Sequence, residues 1–280
     1  MLYYIDVRVG RRTALKAIAA AGVGTVTGTV SYGVVYERHH IGITEADLPV
    51  SGLAPPLDGL RIGFVTDIHH SSMVPADDVR TAVDLIASTR PDLIVLGGDY
   101  VTWGDRAYVG PVAELLSPLT APYGVFAILG NHDDDRDMPA ALAAKHIQVL
   151  KDARTRLEIR GEGLELAGIR FWTRKSTDIA RVVNRARDTV LLLAHDPRRL
   201  DEAAGLDVPA VLSGHTHGGQ VVIPGLGAVA RRSFPVLAGV ASRENTWMFV
   251  SRGVGTVYVP IRINCPPEVA VVTLRRKSDI

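Results

Sequence analysis

Five short apolar runs, each followed at once by polar residues that can bind metal ions, constrain the fold of this 280-residue chain more than any other feature. The runs lie at residues 60–66, 93–96, 125–129, 190–194 and 210–213. Short runs of Val, Ile and Leu are typical of strands that are buried on both faces of a sheet. Because open α/β sheets bind ligands at the carboxyl ends of their strands, the polar residues are expected to meet at one such edge.

The polar residues form five short signatures that keep a fixed order along the chain. They are Asp67-Ile68-His69, Gly98-Asp99-Tyr100, Gly130-Asn131-His132-Asp133, His195 and Gly214-His215-Thr216-His217. Each signature alone has a simpler interpretation, because Asp99 could cap a helix and Asn131 could form a tight turn. His195 could equally be a hydrogen-bonded histidine at the end of a strand. All five in order, each after its own strand, favour a site for two metal ions.

The donor atoms of these signatures are oxygen and imidazole nitrogen, with no thiolate among them. This donor set excludes a cysteine-based structural zinc site and suits two divalent ions of Mn, Fe or Zn. Asp99 has two oxygens and can bridge both ions, while Asn131 adds a neutral amide oxygen. Two divalent ions, the carboxylates of Asp67 and Asp99 and a bridging hydroxide would leave roughly +1 for an incoming phosphate. His132 lies beside Asn131 but faces another way, which suits a general acid or an oxyanion stabiliser.

The charge of the chain argues against nucleic acid as a partner. The net charge is +1, and the first 40 residues hold five basic and two acidic side chains. The remainder therefore has 26 basic and 28 acidic residues and no broad basic surface of the kind that binds nucleic acid. The single cysteine, Cys265, cannot form an internal disulfide, so cysteine usage neither supports nor excludes export.

An uncharged segment near the amino terminus is close to the minimum length of a bilayer-spanning helix. Residues 17–36 contain no charge, and Arg11, Arg12 and Lys16 precede them. Positive charge at this end predicts a cytoplasmic amino terminus and a body on the extracytoplasmic side. The order of residues resembles a twin-arginine export signal, except that Ala14 stands where a bulkier apolar residue is more usual. No Ala-x-Ala cleavage site follows, which favours an uncleaved anchor; the alternative is a buried or interfacial helix.

A twin-arginine route would also bear on the metal. Such a system moves folded proteins, so metal could be loaded in the cytoplasm before export. Loading there would protect a site for manganese, a weak binder, from copper or zinc. We therefore expect manganese to be favoured.

The chain divides into four segments by composition. Residues 1–40 are the signal or anchor, 41–56 a proline-rich linker, 57–275 the main folded domain and 276–280 a tail. Helices are predicted at 75–88, 107–116 and 138–145, and a hairpin is predicted around Gly161 and Gly163. Late strands are predicted at 220–223, 247–251 and 269–274. Strands alternating with helices predict a central sheet covered by helices.

The signatures resemble the calcineurin-like metallophosphoesterase family, in its small bacterial branch with amino-terminal export signals or membrane anchors. The resemblance covers about 57–274 and includes Gly218-Gly219-Gln220, Ser251-Arg252-Gly253-Val254-Gly255 and Pro260-Ile261-Arg262 before Pro267-Glu268. It implies an α/β fold, a four-layer α/β/β/α sandwich of two mixed sheets, in addition to the amino-terminal hydrophobic helix. It also implies a role for each site residue: Asp67, His69 and His217 for one ion, Asn131, His195 and His215 for the other, Asp99 as the bridge and His132 as the catalytic histidine.

The chain departs from the protein-phosphatase branch of this family at two positions. Thr102-Trp103-Gly104 stands where that branch has a further aspartate and an arginine, and Asp133 stands where it has a glutamate. These departures argue against a protein serine/threonine phosphatase and leave open what orients His132. The acidic patch at 133–137, four aspartates and one arginine, is expected either to repel highly charged substrates or to be solvated surface.

The resemblance implies a hydrolase that cleaves a phosphodiester, phosphomonoester or pyrophosphate bond with a hydroxide activated by two metal ions, at the membrane. The expected partner is a phosphorylated small molecule or lipid, with a lipid-linked phosphate such as UDP-2,3-diacylglucosamine as the candidate. The alternatives are a metal-dependent nuclease and a non-catalytic binding module. A binding module would be expected to lack ligands, and none is missing here. The oligomeric state is not fixed by the sequence, which is compatible with a monomer.

Overall fold

Two six-stranded mixed sheets form the centre of the molecule in a computed structural model that describes residues 11–229 and 234–277. The first sheet has, in spatial order, β1 (Gly42–Val50), β14 (Glu268–Arg276), β2 (Arg61–Val65), β3 (Leu93–Leu96), β4 (Val125–Ala127) and β5 (Gln148–Val149). The second has β12 (Gly239–Arg243), β13 (Thr246–Val250), β9 (Ala210–Ser213), β8 (Thr189–Leu193), β7 (Glu162–Gly168) and β6 (Ala153–Ile159). A separate small hairpin pairs β10 (Val222–Ile223) with β11 (Gly227–Ala228).

Helices cover the outer faces of both sheets. Those packed on the first sheet are α2 (Ala76–Ser88), α3 (Val109–Leu116) and α4 (Asp137–Ala143), and those on the second are α5 (Ser176–Val183) and α6 (Leu200–Ala204). The inner faces of the sheets share a core in which Phe64 and Phe249 meet edge to face. Helix, sheet, sheet and helix therefore form four layers, which confirms the predicted sandwich.

The predicted apolar strands are confirmed within one or two residues. β2, β3 and β4 pair in parallel in the first sheet, and β7, β8 and β9 do so in the second. These strands are buried on both faces, which is why they are almost wholly apolar. The helix predicted at 107–116 begins as a 3-10 turn, Arg106–Tyr108, before α3.

The prediction of a linker at 41–56 is corrected by β1, which lies inside it. β1 pairs in parallel with β14 along its whole length, and Leu48 and Val50 are buried in the core between the sheets. Its partner lies more than 200 residues away in sequence, so local composition does not reveal the pairing. The predicted tail at 276–280 also differs, because Arg276 ends β14 and Lys277 donates its backbone N–H to Val50. Residues 278–280 lie outside the described part of the chain.

The amino-terminal helix α1 (Arg11–Val35) is separate from this sandwich except at its carboxyl end. Within the described residues, 18–39 form one stretch that is long and apolar enough to cross a membrane, and only 6% of it is buried. Residues 1–10 of the predicted anchor segment lie outside the described residues.

Candidate metal centre

The five signatures meet where the carboxyl ends of both sheets adjoin. β2, β3 and β4 of the first sheet lead into the loops with Asp67, Asp99 and Asn131, whereas β8 and β9 of the second lead into His195 and His215. The expectation from the strand pattern alone, that one sheet edge carries all five, is therefore corrected. The site lies across two sheets, and both supply donor atoms.

The first cluster consists of Asp67, His69 and His217, whose donor atoms all lie within 4.8 Å of one another. All three side chains are buried. The Nε2 atoms of His69 and His217 lie 3.1 Å apart, and Nε2 of His217 lies 3.6 Å from Asp67 Oδ1. Imidazole nitrogens that face each other and a carboxylate at such distances are typical of ligands arranged around a cation.

The second cluster consists of Asp99, His195 and His215, again within 4.8 Å. Nδ1 of His195 lies 2.8 Å from the carbonyl oxygen of Gly97 and can only donate to it, so a neutral His195 has a bare lone pair on Nε2. That Nε2 lies 3.1 Å from Asp99 Oδ2, yet it has no partner in hydrogen-bonding geometry among the described residues. A lone pair held against a carboxylate requires a positive charge between them, which a proton or a metal ion would supply.

Asp99 lies between the two clusters. Its Oδ2 is 3.1 Å from His195 Nε2 and 3.5 Å from His69 Nε2, so one oxygen faces both groups. Asn131 adds a buried Oδ1 that has no hydrogen-bond partner within the part of the chain that is described. A buried acceptor without a donor is rare in folded proteins and often marks the site of an ion. The carboxylate and imidazole donor atoms, together with His195 Nε2 and Asn131 Oδ1, which are unpartnered among the residues described, therefore fit a pair of divalent cations.

The electrostatics of the site keep most of its imidazoles neutral. Burial lowers the pKa of His69 to about 3 and that of His215 to about 4. Burial also raises the pKa of Asp67 to about 6. For His195 burial acts in the opposite direction but is outweighed by the charges of Asp99 and Asp67, which raise its pKa to about 10. The two carboxylates thus attract positive charge, and His69 and His215 offer lone pairs at neutral pH.

The backbone of the site is strained at the signature residues. Asp67, His69, Asp99, His215 and His217 all have φ between 50° and 72°, in the left-handed region that residues other than glycine rarely adopt. Such strain clusters at functional sites, where the surrounding structure holds it in place. The loops also approach closely, since a Cβ at Gly130 would lie 2.0 Å from Asp99 Oδ1.

His132 lies beside the first cluster, with its ring centroid 4.9 Å from that of His69. The backbone N–H of Trp103 donates to His132 Nδ1 over 3.0 Å, so a neutral His132 carries its proton on Nε2. Burial lowers the pKa of His132, which favours the neutral form. Trp103, at a position where the chain departs from the protein-phosphatase pattern, thus orients the histidine through its backbone.

Asp133 has a role that differs from the expected acidic surface. Its carboxylate accepts backbone N–H groups from Asp99, Tyr100 and Gly130 at 2.7–2.8 Å, and so joins the loops after β3 and β4. Burial and the charge of Asp99 together raise the pKa of Asp133 to about 7. The three N–H groups act against this shift by stabilising the carboxylate. Its side chain therefore supports the site instead of facing solvent.

Arg262 is the second residue whose role the sequence does not reveal. It is fully buried and donates to the carbonyl oxygens of Arg252, Gly253, Gly255 and Cys265. Its Nη2 also lies 3.4 Å from Nδ1 of His217, and the burial of that histidine, together with the charge of Arg262, lowers its pKa. Arg262 belongs to Pro260-Ile261-Arg262, one of the segments that this chain shares with the family it resembles. That similarity is the one feature of the sequence that indicates a role for Arg262.

Comparisons with known proteins agree with this geometry. The model of the family described as calcineurin-like phosphoesterase matches residues 60–219. An uncharacterized metallophosphoesterase of Bacillus subtilis, YkuE, is 30% identical over 281 residues, covering 96% of this chain and 98% of that protein. The phosphodiesterase YaeI of Escherichia coli is 32% identical over 227 residues, or 76% of this chain and 82% of that one. A bovine transmembrane protein with a metallophosphoesterase domain is 28% identical over 95% of this chain and 64% of its own length.

Proposed function

Since this chain belongs to the calcineurin-like phosphoesterase family, we propose that it cleaves phosphodiester bonds with two divalent cations held by the clusters around Asp99. That it is a hydrolase of phosphoester bonds follows from the family. The main support for two cations at this site is that Asp99 lies between the two three-residue clusters. The residues assigned to the first ion are Asp67, His69 and His217, those to the second are Asn131, His195 and His215, and Asp99 is shared.

The residues of the chain divide the chemistry between them. The clusters around Asp99 would hold two divalent cations, which when bound would supply positive charge that acidifies water and neutralises phosphoryl oxygens. His132, with its proton on Nε2, donates that proton to the oxygen that leaves phosphorus as the P–O bond breaks. The backbone N–H of Trp103 donates to Nδ1, so the proton of a neutral His132 stays on Nε2.

The walls of the site favour a phosphodiester over a phosphomonoester. A monoester dianion needs more positive charge than a diester monoanion. The two arginines whose charges act on the site histidines, Arg198 and Arg262, are already engaged, by Asp196 and by backbone carbonyls respectively. Aromatic rings stand around the clusters instead, with Phe171 and Phe234 against His215. The Escherichia coli relative is itself named a phosphodiesterase.

Manganese is the metal that we propose for both positions, with iron or zinc as the alternatives. The donor set of carboxylate, amide oxygen and imidazole is one that manganese accepts, and it lacks the thiolates that would select zinc. Export of an already folded and loaded protein would protect this weak binder from competition. Metal analysis of protein purified from cells distinguishes the three ions.

Helix α1 is proposed to anchor the enzyme, with its body on the extracytoplasmic side. Arg11, Arg12 and Lys16 precede the uncharged stretch and favour a cytoplasmic amino terminus. The bovine relative is named a transmembrane protein. We include export by the twin-arginine route in this proposal, with residues 42–277 as the catalytic body. A lipid-linked phosphate such as UDP-2,3-diacylglucosamine is the candidate substrate.

The test uses the purified full-length chain, stripped of metal and reloaded with Mn²⁺, Fe²⁺ or Zn²⁺. Bis-p-nitrophenyl phosphate should be hydrolysed faster than p-nitrophenyl phosphate, and only after reloading. Asp99→Asn should lose both metal and activity, while Asp84→Asn, a change on the exposed side of α2, should lose neither. Full metal content and activity in Asp99→Asn would contradict the site assignment, and hydrolysis of neither ester with any metal would contradict the function.

A further inference from the structure

The membrane helix is fixed to the loop that supports the metal centre. The backbone N–H of Arg262 donates to the carbonyl oxygen of Gly33 over 3.2 Å, and buried Glu37 accepts the N–H of Cys265 over 2.7 Å. At Gly33 a Cβ would lie only 2.5 Å from the carbonyl oxygen of Arg262. Nδ1 of His39 also lies in hydrogen-bonding contact with Oδ2 of Asp78, at 2.8 Å. The catalytic body therefore has a set orientation relative to the helix that anchors it.

The small hairpin at residues 221–229 extends along this helix. It contains β10 and β11, and residues 221–224 of it line a cavity of about 750 Å³ together with Val26, Thr29 and Tyr32 of α1. An α-helix rises 1.5 Å per residue, so Val26 lies about 15 Å from Tyr36 along the axis. These helix residues fall within the stretch that can span the bilayer. The hairpin therefore lies at the depth of the membrane and not above it.

The surface of the hairpin suits a lipid environment. Residues 218–230 contain no charge, and the exposed fractions of Ile223, Leu226 and Val229 are 41%, 82% and 66%. Exposed apolar side chains grouped on one short hairpin without charges are typical of a site of interaction. Its position beside a membrane helix identifies lipid as the partner.

The same hairpin forms one wall of a cavity at the metal centre. This cavity, of about 300 Å³, is lined by His215 and His217 of the clusters and by Val221, Val229 and Tyr258. Val221 lines both this cavity and the one beside α1. One apolar element thus borders the bilayer on one side and the metal ligands on the other.

We propose that the hairpin at 221–229 inserts into the leaflet from which the catalytic body emerges, and that the cavity behind it receives the hydrocarbon chain of the substrate. The substrate is then a lipid phosphodiester whose phosphate reaches the clusters while its chain remains in an apolar environment. This inference rests on the proposed function, because it specifies how the substrate of that site arrives. Insertion is confined to the interface and the upper part of the acyl region, since the short β10–β11 pair has unpaired backbone edges.

Depth of insertion is measured on the full-length protein in phosphatidylglycerol and phosphatidylethanolamine vesicles. Leu226→Cys is labelled with bimane, and quenching by doxyl-labelled lipid is recorded; Cys265 is buried and is the same in every variant. Ser88→Cys is the matched control, because Ser88 is exposed at the end of α2, opposite the metal edge. Quenching at 226 but not at 88 is expected. Equal quenching at the two positions, or none at 226, would overturn the insertion.

The path of the substrate is measured with two diesters that release the same group, methyl p-nitrophenyl phosphate and hexadecyl p-nitrophenyl phosphate. The manganese-loaded enzyme in vesicles should favour the hexadecyl ester in kcat/KM by about tenfold or more, since each buried CH₂ adds to binding. Leu226→Asp should remove that preference and leave the methyl ester unchanged, whereas Ser88→Asp should preserve it. Hydrolysis of the methyl ester with no preference in the parent enzyme would overturn this inference alone. Hydrolysis of neither ester would instead contradict the proposed function.

Discussion

At the scale of single residues, His132 and His195 differ in what their Nδ1 atoms do. The N–H of Trp103 occupies Nδ1, whereas Nδ1 of His195 itself donates to a carbonyl oxygen. His132 therefore presents a donor where His195 presents a lone pair. The first arrangement suits proton donation and the second suits a metal ligand.

His132→Asn should lower kcat by roughly 10²- to 10⁴-fold, the usual contribution of a general acid, while metal content stays unchanged. The amide cannot release a proton to the leaving oxygen, but it does not disturb the donor atoms of the clusters. Turnover of bis-p-nitrophenyl phosphate and metal analysis together test this. His146→Asn, an exposed histidine whose φ of 62° an asparagine tolerates, is the control. Loss of metal with loss of turnover would make His132 a ligand.

Asp133→Asn should destabilise the protein by roughly 2–3 kcal/mol and weaken metal binding. Its carboxylate accepts three backbone N–H groups, and an amide nitrogen in place of one oxygen would face at least one of them without an acceptor. Denaturant unfolding and metal titration are the measurements. Asp135→Asn provides the comparison, because Asp135 is exposed and its ion pairs contribute little. Equal effects of the two changes would show that the loops do not depend on Asp133.

The sequence predicts the candidate metal ligands better than it predicts the residues that hold the ligand loops in place. Asp67, Asp99 and His195 follow apolar strands directly, so local pattern and strand topology together bring them to one place. Asp133 and Arg262 have no such signal, because their partners are backbone groups of loops whose conformation is set by tertiary contacts. The role of Trp103 was equally hidden, since its backbone and not its side chain meets His132.

At the scale of elements, strands that are buried on both faces form apolar runs and can be predicted from the sequence. Partly exposed strands lack such a run and are harder to predict. β3 is wholly buried and was bounded correctly from its composition. β1 lies at an edge, is fully buried only at Leu48 and Val50, and contains Pro49, so its composition resembles that of a linker. The pairing of β1 with β14 joins the two ends of the body and depends on contacts that no local window contains.

The junction between α1 and the body gives a prediction at the same scale. Gly33→Leu should destabilise the full-length protein by about 1–3 kcal/mol, as overpacking of a close contact usually does. The added side chain would meet the backbone of Arg262 and the side chains of Ile261 and Ile263. Gly28→Leu, where nothing lies within 4 Å, should have little effect. Thermal unfolding in detergent compares them, and equal midpoints would show that the helix does not dock on this loop.

At the scale of the whole molecule, the metal centre lies where loops of both sheets meet, and its carboxylates are buried there. The loops of the first sheet supply Asp67 and Asp99, and those of the second supply His195 and His215. In the metal-free protein, protons balance part of the buried negative charge: burial raises the pKa of Asp67, and the charges of Asp99 and Asp67 raise the pKa of His195 against the effect of its burial. Cations at this seam would therefore join the two halves of the sandwich as well as serve the reaction.

Metal should accordingly raise the midpoint of thermal unfolding of the entire body and not of one sheet alone. A ligand at a thousand times its Kd contributes about 4 kcal/mol, and each kcal/mol shifts the midpoint of a protein of this size by roughly 2–4 °C. Saturating Mn²⁺ should thus raise the midpoint of the EDTA-treated protein by about 10 °C in one transition. His132→Asn should retain this shift and Asp99→Asn should lose most of it. Two separate unfolding transitions would show that the cations do not join the two sheets. An equal shift in Asp99→Asn would show that the carboxylate between the clusters is unnecessary for binding the cations.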